Sequence, residues 1–284
     1  GKTYTMPINL ETINSYYEKN LTPSEAYDFL QAEIEKYHIE NPQNLEEKAI
    51  SLIGKPLYEA FIYGYTKKQW ETDPKNLPAN IITRLPVRFN YNHRYFKDKY
   101  EGLPVDGYGK VFEKMLDHEN ITVKLGVDFF DIKESIPEDV KIIYSGPIDR
   151  FFDYKYGVLG WRTIDFEVER KEMNDFQGTS VMNYAEAEVP YTRIHEFKHY
   201  HPERAQSENE TIIFKEFSRT AGREDDPYYP INTAEDKEMY TRYLAETKKE
   251  SNIIFGGRLG TYKYLDMHQV ISMALNTFKS EISN

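Results

Sequence analysis

Apolar positions at Ala26, Phe29, Leu30, Ile34 and Tyr37 recur at helical spacing behind Thr22, Pro23 and Glu25. Thr22 suits an N-cap, Pro23 the first helical position and Glu25 the far end of a capping box, so the pattern predicts a helix. Asn44 and Glu47 open a second helix whose periodicity stops at Gly54. Pro56 opens a third, "PLYEAFIY", and Gly64 is placed to end it. Residues 22–70 thus read as a helical unit, preceded by a leading segment, 1–20, without clear caps.

The stretch 71–110 is rich in proline and glycine and carries Arg84, Arg88 and Arg94 between apolar residues. A long loop of that kind is often functional. "GKVFEKMLDH" predicts a short amphipathic helix, and "ITVKL" and "VKIIYSG" two strands, the second apolar enough for a buried parallel strand. From 160 to 220 the period changes to two. Ile164, Phe166 and Val168 alternate with Thr163, Asp165 and Glu167, and "TSVMNY", "TRIHEFKHY" and "TIIFKEFS" continue the style. This predicts an antiparallel sheet with one polar face. A helix over 234–249 follows. Then come a strand, a glycine turn and a final amphipathic helix to about residue 282, an order typical of nucleotide-handling α/β folds.

Composition narrows the function classes. The chain has 284 residues, 39% of them hydrophobic, with a formal net charge of -11. That charge argues against a nucleic-acid partner held through its phosphodiester backbone and leaves room for a local basic pocket for a small anion. The absence of cysteine removes disulfides, iron–sulfur clusters and thiolate metal sites. No apolar run approaches the roughly 20 residues of a membrane span, and no leader opens the chain, so the expected compartment is the cytoplasm and no membrane partner is expected.

The candidate chemistry lies in aromatic, basic and glycine-rich stretches. In "FIYGYTKKQW", Phe61 and Tyr65 are four apart and flank Gly64. They would form a clamp for a planar group or an ordinary core pair. "FGGRLG" is half of a dinucleotide fingerprint, and Arg258 within it would suit a pyrophosphate. His195, His199 and His201 would share one face of a strand; the spacing allows a metal site, but the charged surroundings read as a solvated sheet face, so no metal is expected. Arg84, Arg162, Arg193 and Arg258, in stretches that also carry aromatic or amide residues, would suit a diphosphate.

"GYTKKQW", "RLPVRFNYN", "YSGPID", "MNYAEAEVPYTRIHE", "KEFSR", "PYYPI" and "GRLGTYKYLDM" occur in this order. Together they resemble the bacterial UDP-galactopyranose mutase family over nearly the whole chain. The resemblance implies a mixed α/β fold: an FAD-binding Rossmann-like domain, a helical domain and an antiparallel substrate-side sheet. The implied boundaries are a helical domain with a mobile substrate loop at 1–95, FAD-domain segments at 96–150 and 233–284, and the sheet at 151–232. The family's opening GxGxxG turn is missing, so the FAD domain is expected to be incomplete here. The implied reaction interconverts UDP-galactopyranose and UDP-galactofuranose through an adduct of the sugar with N5 of reduced FAD, without net redox change. The product would feed cell-wall polysaccharide synthesis, and the family's helical domains imply a homodimer.

The resemblance also assigns residues. Phe61 and Tyr65 would hold uracil, while Thr66, Trp70, Tyr95, Phe96 and Asn183 would line the substrate pocket. Arg84 and Arg193 would take the diphosphate and stabilise charge in catalysis, with Tyr229 and Tyr264 bonded to phosphates. Arg162, Arg258, Asp266 and Met267 would lie near the flavin or the sugar. Two other readings stay open on the residues alone: an amine-oxidase-like flavin oxidoreductase, and a non-catalytic UDP-sugar-binding module.

Overall fold

The computed structural model describes residues 1–83 and 85–281. Along the chain the first elements are α1 (Leu10–Tyr17), α2 (Pro23–Glu35), α3 (Leu45–Tyr58), α4 (Gly64–Trp70), α5 (Gly107–Leu116), α6 (Phe129–Ile132), β1 (Ile142–Tyr144) and α7 (Ile148–Phe151). Then follow β2 (Trp161–Lys171), β3 (Val181–Asn183), β4 (Arg193–His195), β5 (Thr211–Thr220), β6 (Tyr229–Pro230), α8 (Ala234–Thr247), β7 (Ile253–Phe255), α9 (Gly257–Gly260) and α10 (Met267–Glu281). The chain divides into two compact units, 1–108 with 165–218 and 109–164 with 219–284. Strands β2 and β5 carry the chain from one to the other. Among the described residues no helix is long and apolar enough to cross a membrane.

In the first unit the predicted helices form where caps and periodicity placed them. Thr22 and Glu25 make the reciprocal capping box of α2, and Asn44 caps α3 by accepting from the Glu47 amide. The leading segment differs from expectation. It holds α1, capped by Asn9, whose side chain accepts from the Thr12 amide. Leu10, Ile13, Ala26, Leu30, Leu45, Ala49, Ile53 and Leu57 are buried together as the core of these helices. Each large side chain buried there contributes about 1.5–3 kcal/mol.

The break and the glycine fall differently from the sequence reading. At Gly54 the backbone leaves the helix (φ 73°, ψ 159°), as the periodicity predicts. Gly64 does not end a helix. It is helical (φ -66°, ψ -40°), and the chain runs through a π-helical turn, Glu59–Tyr63, directly into α4. Such turns widen the helix and recur at functional sites. The glycine is needed for space: a Cβ there would lie 2.1 Å from the carbonyl oxygen of Ala185, in the loop joining β3 and β4.

The sheet of this unit has the order β3–β4–β5–β2. β3 and β4 pair antiparallel with Asn183 opposite Arg193, and Arg193 in turn faces Glu216 of β5. The predicted histidine face does not form. β4 ends at His195, His199 lies in a 3₁₀ turn and His201 follows it.

In the second unit β1 and β7 pair in parallel, Tyr144 beside Phe255. "ITVKL" is not a strand there; Ile121, Val123 and Leu125 are exposed, so alternation alone gave it no packing partner. Ile148, Leu159, Trp161, Tyr243 and Tyr262 form the core. The buried Asp149 carboxylate accepts from the Leu159 amide at 2.9 Å. Asp236 caps α8 with Thr233 and accepts from the Gly160 amide at 2.9 Å.

Gly64→Ala is expected to cost about 1–3 kcal/mol or more, because the methyl group must displace backbone and not a flexible side chain. Urea unfolding of the variant measures this; an unchanged midpoint would contradict the close approach at Ala185.

Candidate functional site

The first unit gathers one group of the residues singled out from the sequence. Phe61 lies in the π-helical turn, with its ring edge-on to Tyr4 at 5.2 Å and to Tyr16 at 5.6 Å. Tyr65, four residues on, opens the first turn of α4, and the unbroken helix keeps the two on neighbouring faces. Thr66 is buried and Trp70 is half-buried at the last position of α4. The middle of this segment is polar for a reason. The Lys68 ammonium donates to the carbonyls of Tyr184 (2.7 Å), Glu186 (2.8 Å) and Tyr191 (2.9 Å). The Gln69 carbonyl accepts from the Ser218 hydroxyl of β5 at 2.7 Å.

The same loop connects Asn183 to Arg193. Arg193 Nε lies 2.8 Å from Glu216 Oε1. The other oxygen of this buried carboxylate meets His195 Nε2 at 2.9 Å, and the Thr192 hydroxyl donates to Oε1 at 3.1 Å. His195 stacks on Phe197, with ring centroids 5.4 Å apart and planes 7° off parallel. Its Nδ1 is buried without a hydrogen bond. With Nδ1 unpaired, Nε2 is the ring nitrogen that donates to the Glu216 carboxylate. Burial pushes the Glu216 carboxyl up, but the His195 hydrogen bond and the Arg193 charge outweigh it and hold the group below the usual carboxylate range.

Tyr95 and Phe96 are exposed on the long loop and meet edge to face at 5.0 Å. The buried Arg88 organises that loop, donating to the carbonyls of Asn92 (3.3 Å), Arg94, Tyr95 (3.1 Å) and Phe96 (3.4 Å). Arg84 lies outside the described residues. The oxygens and nitrogen of Asp175, Glu196 and His199 come within 4.8 Å of one another. The buried Glu196, however, accepts from the Phe176 and Gln177 amides and the Thr211 hydroxyl, which fastens a turn.

The second unit gathers the other group. Tyr229 and Tyr264 stack with centroids 5.5 Å apart and planes 17° off parallel. The Arg258 guanidinium lies 4.9 Å over the Tyr264 ring. Its N–H groups donate to the Tyr228 carbonyl at 2.7 Å and the Leu265 carbonyl at 2.5 Å, so it ties the glycine turn to both tyrosine segments. Asp266 and Met267 sit where α10 begins, Met267 exposed. Arg162 is fully buried at the head of β2, opposite Tyr229 of β6, and donates to the Thr220 hydroxyl at 2.8 Å. At the carboxyl ends of the parallel strands Gly256 donates to the Tyr144 carbonyl at 3.0 Å, and a Cβ on Gly256 would meet nothing within 4 Å. Bare backbone facing open space at that end of parallel strands is where α/β folds take ligands.

Sequence reasoning missed the roles of Lys68, Arg88 and Glu216. Each signal was present: a lysine inside an aromatic run, an arginine among apolar loop residues, and a glutamate at an inward position of an alternating strand.

Glu216→Gln is expected to lose about 1–3 kcal/mol at neutral pH. A depressed carboxylate pKa stabilises fully above the ordinary value near 4.3 and ceases to as pH falls through the folded value. The acid limb of stability should therefore be shallower in the variant than in the native chain. Equal limbs in acid unfolding would contradict the charged assignment.

Comparison with known proteins agrees with the resemblance drawn from the motifs. The UDP-galactopyranose mutase family profile matches residues 60–264. A probable UDP-galactopyranose mutase of Klebsiella pneumoniae is 45% identical over 287 residues, which cover 100% of this chain and 73% of that protein. A dTDP-fucopyranose mutase of Escherichia coli is 42% identical, covering 100% of this chain and 76% of that protein. A crystal structure of reduced UDP-galactopyranose mutase shares the fold, with a TM-score of 0.56 at 15% identity over 86% of this chain and 69% of that one. The expected fold class, mixed helices and sheets with an antiparallel sheet, is thus borne out. By its family profile and its relatives, the chain belongs to the UDP-galactopyranose mutase family.

Proposed function

We propose that this chain interconverts UDP-galactopyranose and UDP-galactofuranose with a reduced flavin, FAD, as cofactor. The observation that carries the reading is the assembly in one compact unit of the aromatic helix and the Asn183–Arg193 pair, held by Lys68 and Glu216. Phe61 and Tyr65 stack on uracil. The Arg193 guanidinium takes the diphosphate, where negative charge grows as the anomeric bond breaks, and Arg84 is its expected second arginine. Thr66, Trp70, Tyr95, Phe96 and Asn183 line the sugar and nucleotide.

The second unit offers residues suited to the flavin part of that cofactor. Gly256 leaves bare backbone at the strand ends, and Arg258, Asp266 and Met267 flank the same turn, with Arg162 buried behind Tyr229. When bound, the reduced flavin supplies the nucleophile for the anomeric carbon. The phenol groups of Tyr229 and Tyr264 suit phosphate oxygens. The protein's share of the work is orientation, water exclusion and charge stabilisation.

A second substrate reading rests on the Escherichia coli relative, a dTDP-fucopyranose mutase that is nearly as similar. Uracil and thymine differ by one methyl group, which an aromatic clamp accepts. Incubating the full-length protein with each nucleotide sugar and dithionite-reduced FAD, then separating pyranose and furanose forms by chromatography, decides between them. Furanose from UDP-galactose only under reducing conditions supports the proposal. Furanose only from the dTDP sugar reassigns the substrate. Net sugar oxidation, or binding without turnover, overturns the mutase reading.

Tyr65→Ala is expected to weaken UDP binding about tenfold, since stacking on a base is worth about 1–3 kcal/mol. Titration calorimetry reads this; an unchanged dissociation constant would contradict the clamp.

A further inference from the structure

The Lys68 ammonium is an unusual group to find inside an aromatic helix. It has three N–H donors, and the structure directs them at three backbone carbonyls of one short loop, those of Tyr184, Glu186 and Tyr191. That loop begins beside Asn183 and ends just before Thr192 and Arg193; Asn183 and Arg193 face each other across β3 and β4, and Arg193 faces Glu216 of β5. The opposite end of the latch is α4, whose other positions include Tyr65, Thr66 and Trp70. Gly64, one turn away, lets the Ala185 carbonyl approach closer than any side chain would allow. Burial pushes the Lys68 ammonium below the ordinary lysine range, while Glu186 and Glu188 oppose that shift. A simple ion pair would have used one acid; a knot of carbonyls fixes a backbone path.

We propose that Lys68 is a positioning residue, which sets the distance between the aromatic face of α4 and Arg193 by holding the 184–191 loop. It touches neither nucleotide nor sugar and acts on binding through Arg193. This rests on the reading of Arg193 as a diphosphate ligand. Arginine is no substitute at position 68, because a planar fork does not match three carbonyls converging on one point.

The test is a double-mutant cycle in the full-length protein with UDP as the probe, read by titration calorimetry, with variants Lys68→Met, Arg193→Gln and both together. Lys68→Met is expected to weaken UDP binding about tenfold in the native background and by less than about twofold in the Arg193→Gln background. Lys68→Arg should not restore affinity, and Lys68→Gln, which keeps two amide donors, should fall between; it also serves if the methionine variant does not fold. Unchanged affinity in Lys68→Met, or the same loss in both backgrounds, overturns the positioning role while leaving the site assignment standing. If Arg193→Gln itself binds UDP as the native chain does, the assignment of Arg193 fails, and the inference with it.

Discussion

The close approach of α4 to the loop joining β3 and β4 is the contact on which the first unit depends. Two residues of one helix make it. Gly64 removes a Cβ that would collide with the Ala185 carbonyl, and Lys68 fills the donor requirement of the same loop. Without the first the helix stands off; without the second, three carbonyls lose a common donor. The π-helical turn just before Gly64 shifts the register in which Phe61 and Tyr65 are presented. Local sequence chemistry, helix geometry and the placement of Arg193 are thereby linked through a few ångströms of backbone.

Buried carboxylates do the comparable work elsewhere. Glu216 joins Arg193, His195 and Thr192; Glu196 collects two amides and a hydroxyl; Asp149 and Asp236 hold the backbone at Leu159 and Gly160. A buried carboxylate left without such partners would cost several kcal/mol, so each one specifies its surroundings narrowly. This lets an acidic chain with a net charge of -11 keep arginines at defined positions inside a sheet.

What the sequence disclosed follows from the range of each interaction. Caps and periodicity are local, and α2, α3, α8 and α10 were legible from them. Gly64 was misread as a terminator because its reason lies 121 residues away, at Ala185, and no local pattern records that. "ITVKL" alternates like a strand but pairs with no strand among the described residues. The ordered motifs identified the family, while the roles of Lys68, Arg88 and Glu216 needed coordinates, since each depends on carbonyls or charges distant in sequence or along a loop. Arg258 adds a tie that only coordinates reveal: its N–H groups donate to the Tyr228 and Leu265 carbonyls, which shapes the glycine turn.

The central claim is that one compact unit presents an aromatic clamp and Arg193 to a uridine diphosphate. A crystal structure of the full-length protein with UDP bound tests it most directly. The account requires the uracil ring between Phe61 and Tyr65, with a diphosphate oxygen within hydrogen-bond distance of the Arg193 guanidinium. Uracil seated elsewhere, or a diphosphate that makes no contact with Arg193, would contradict it.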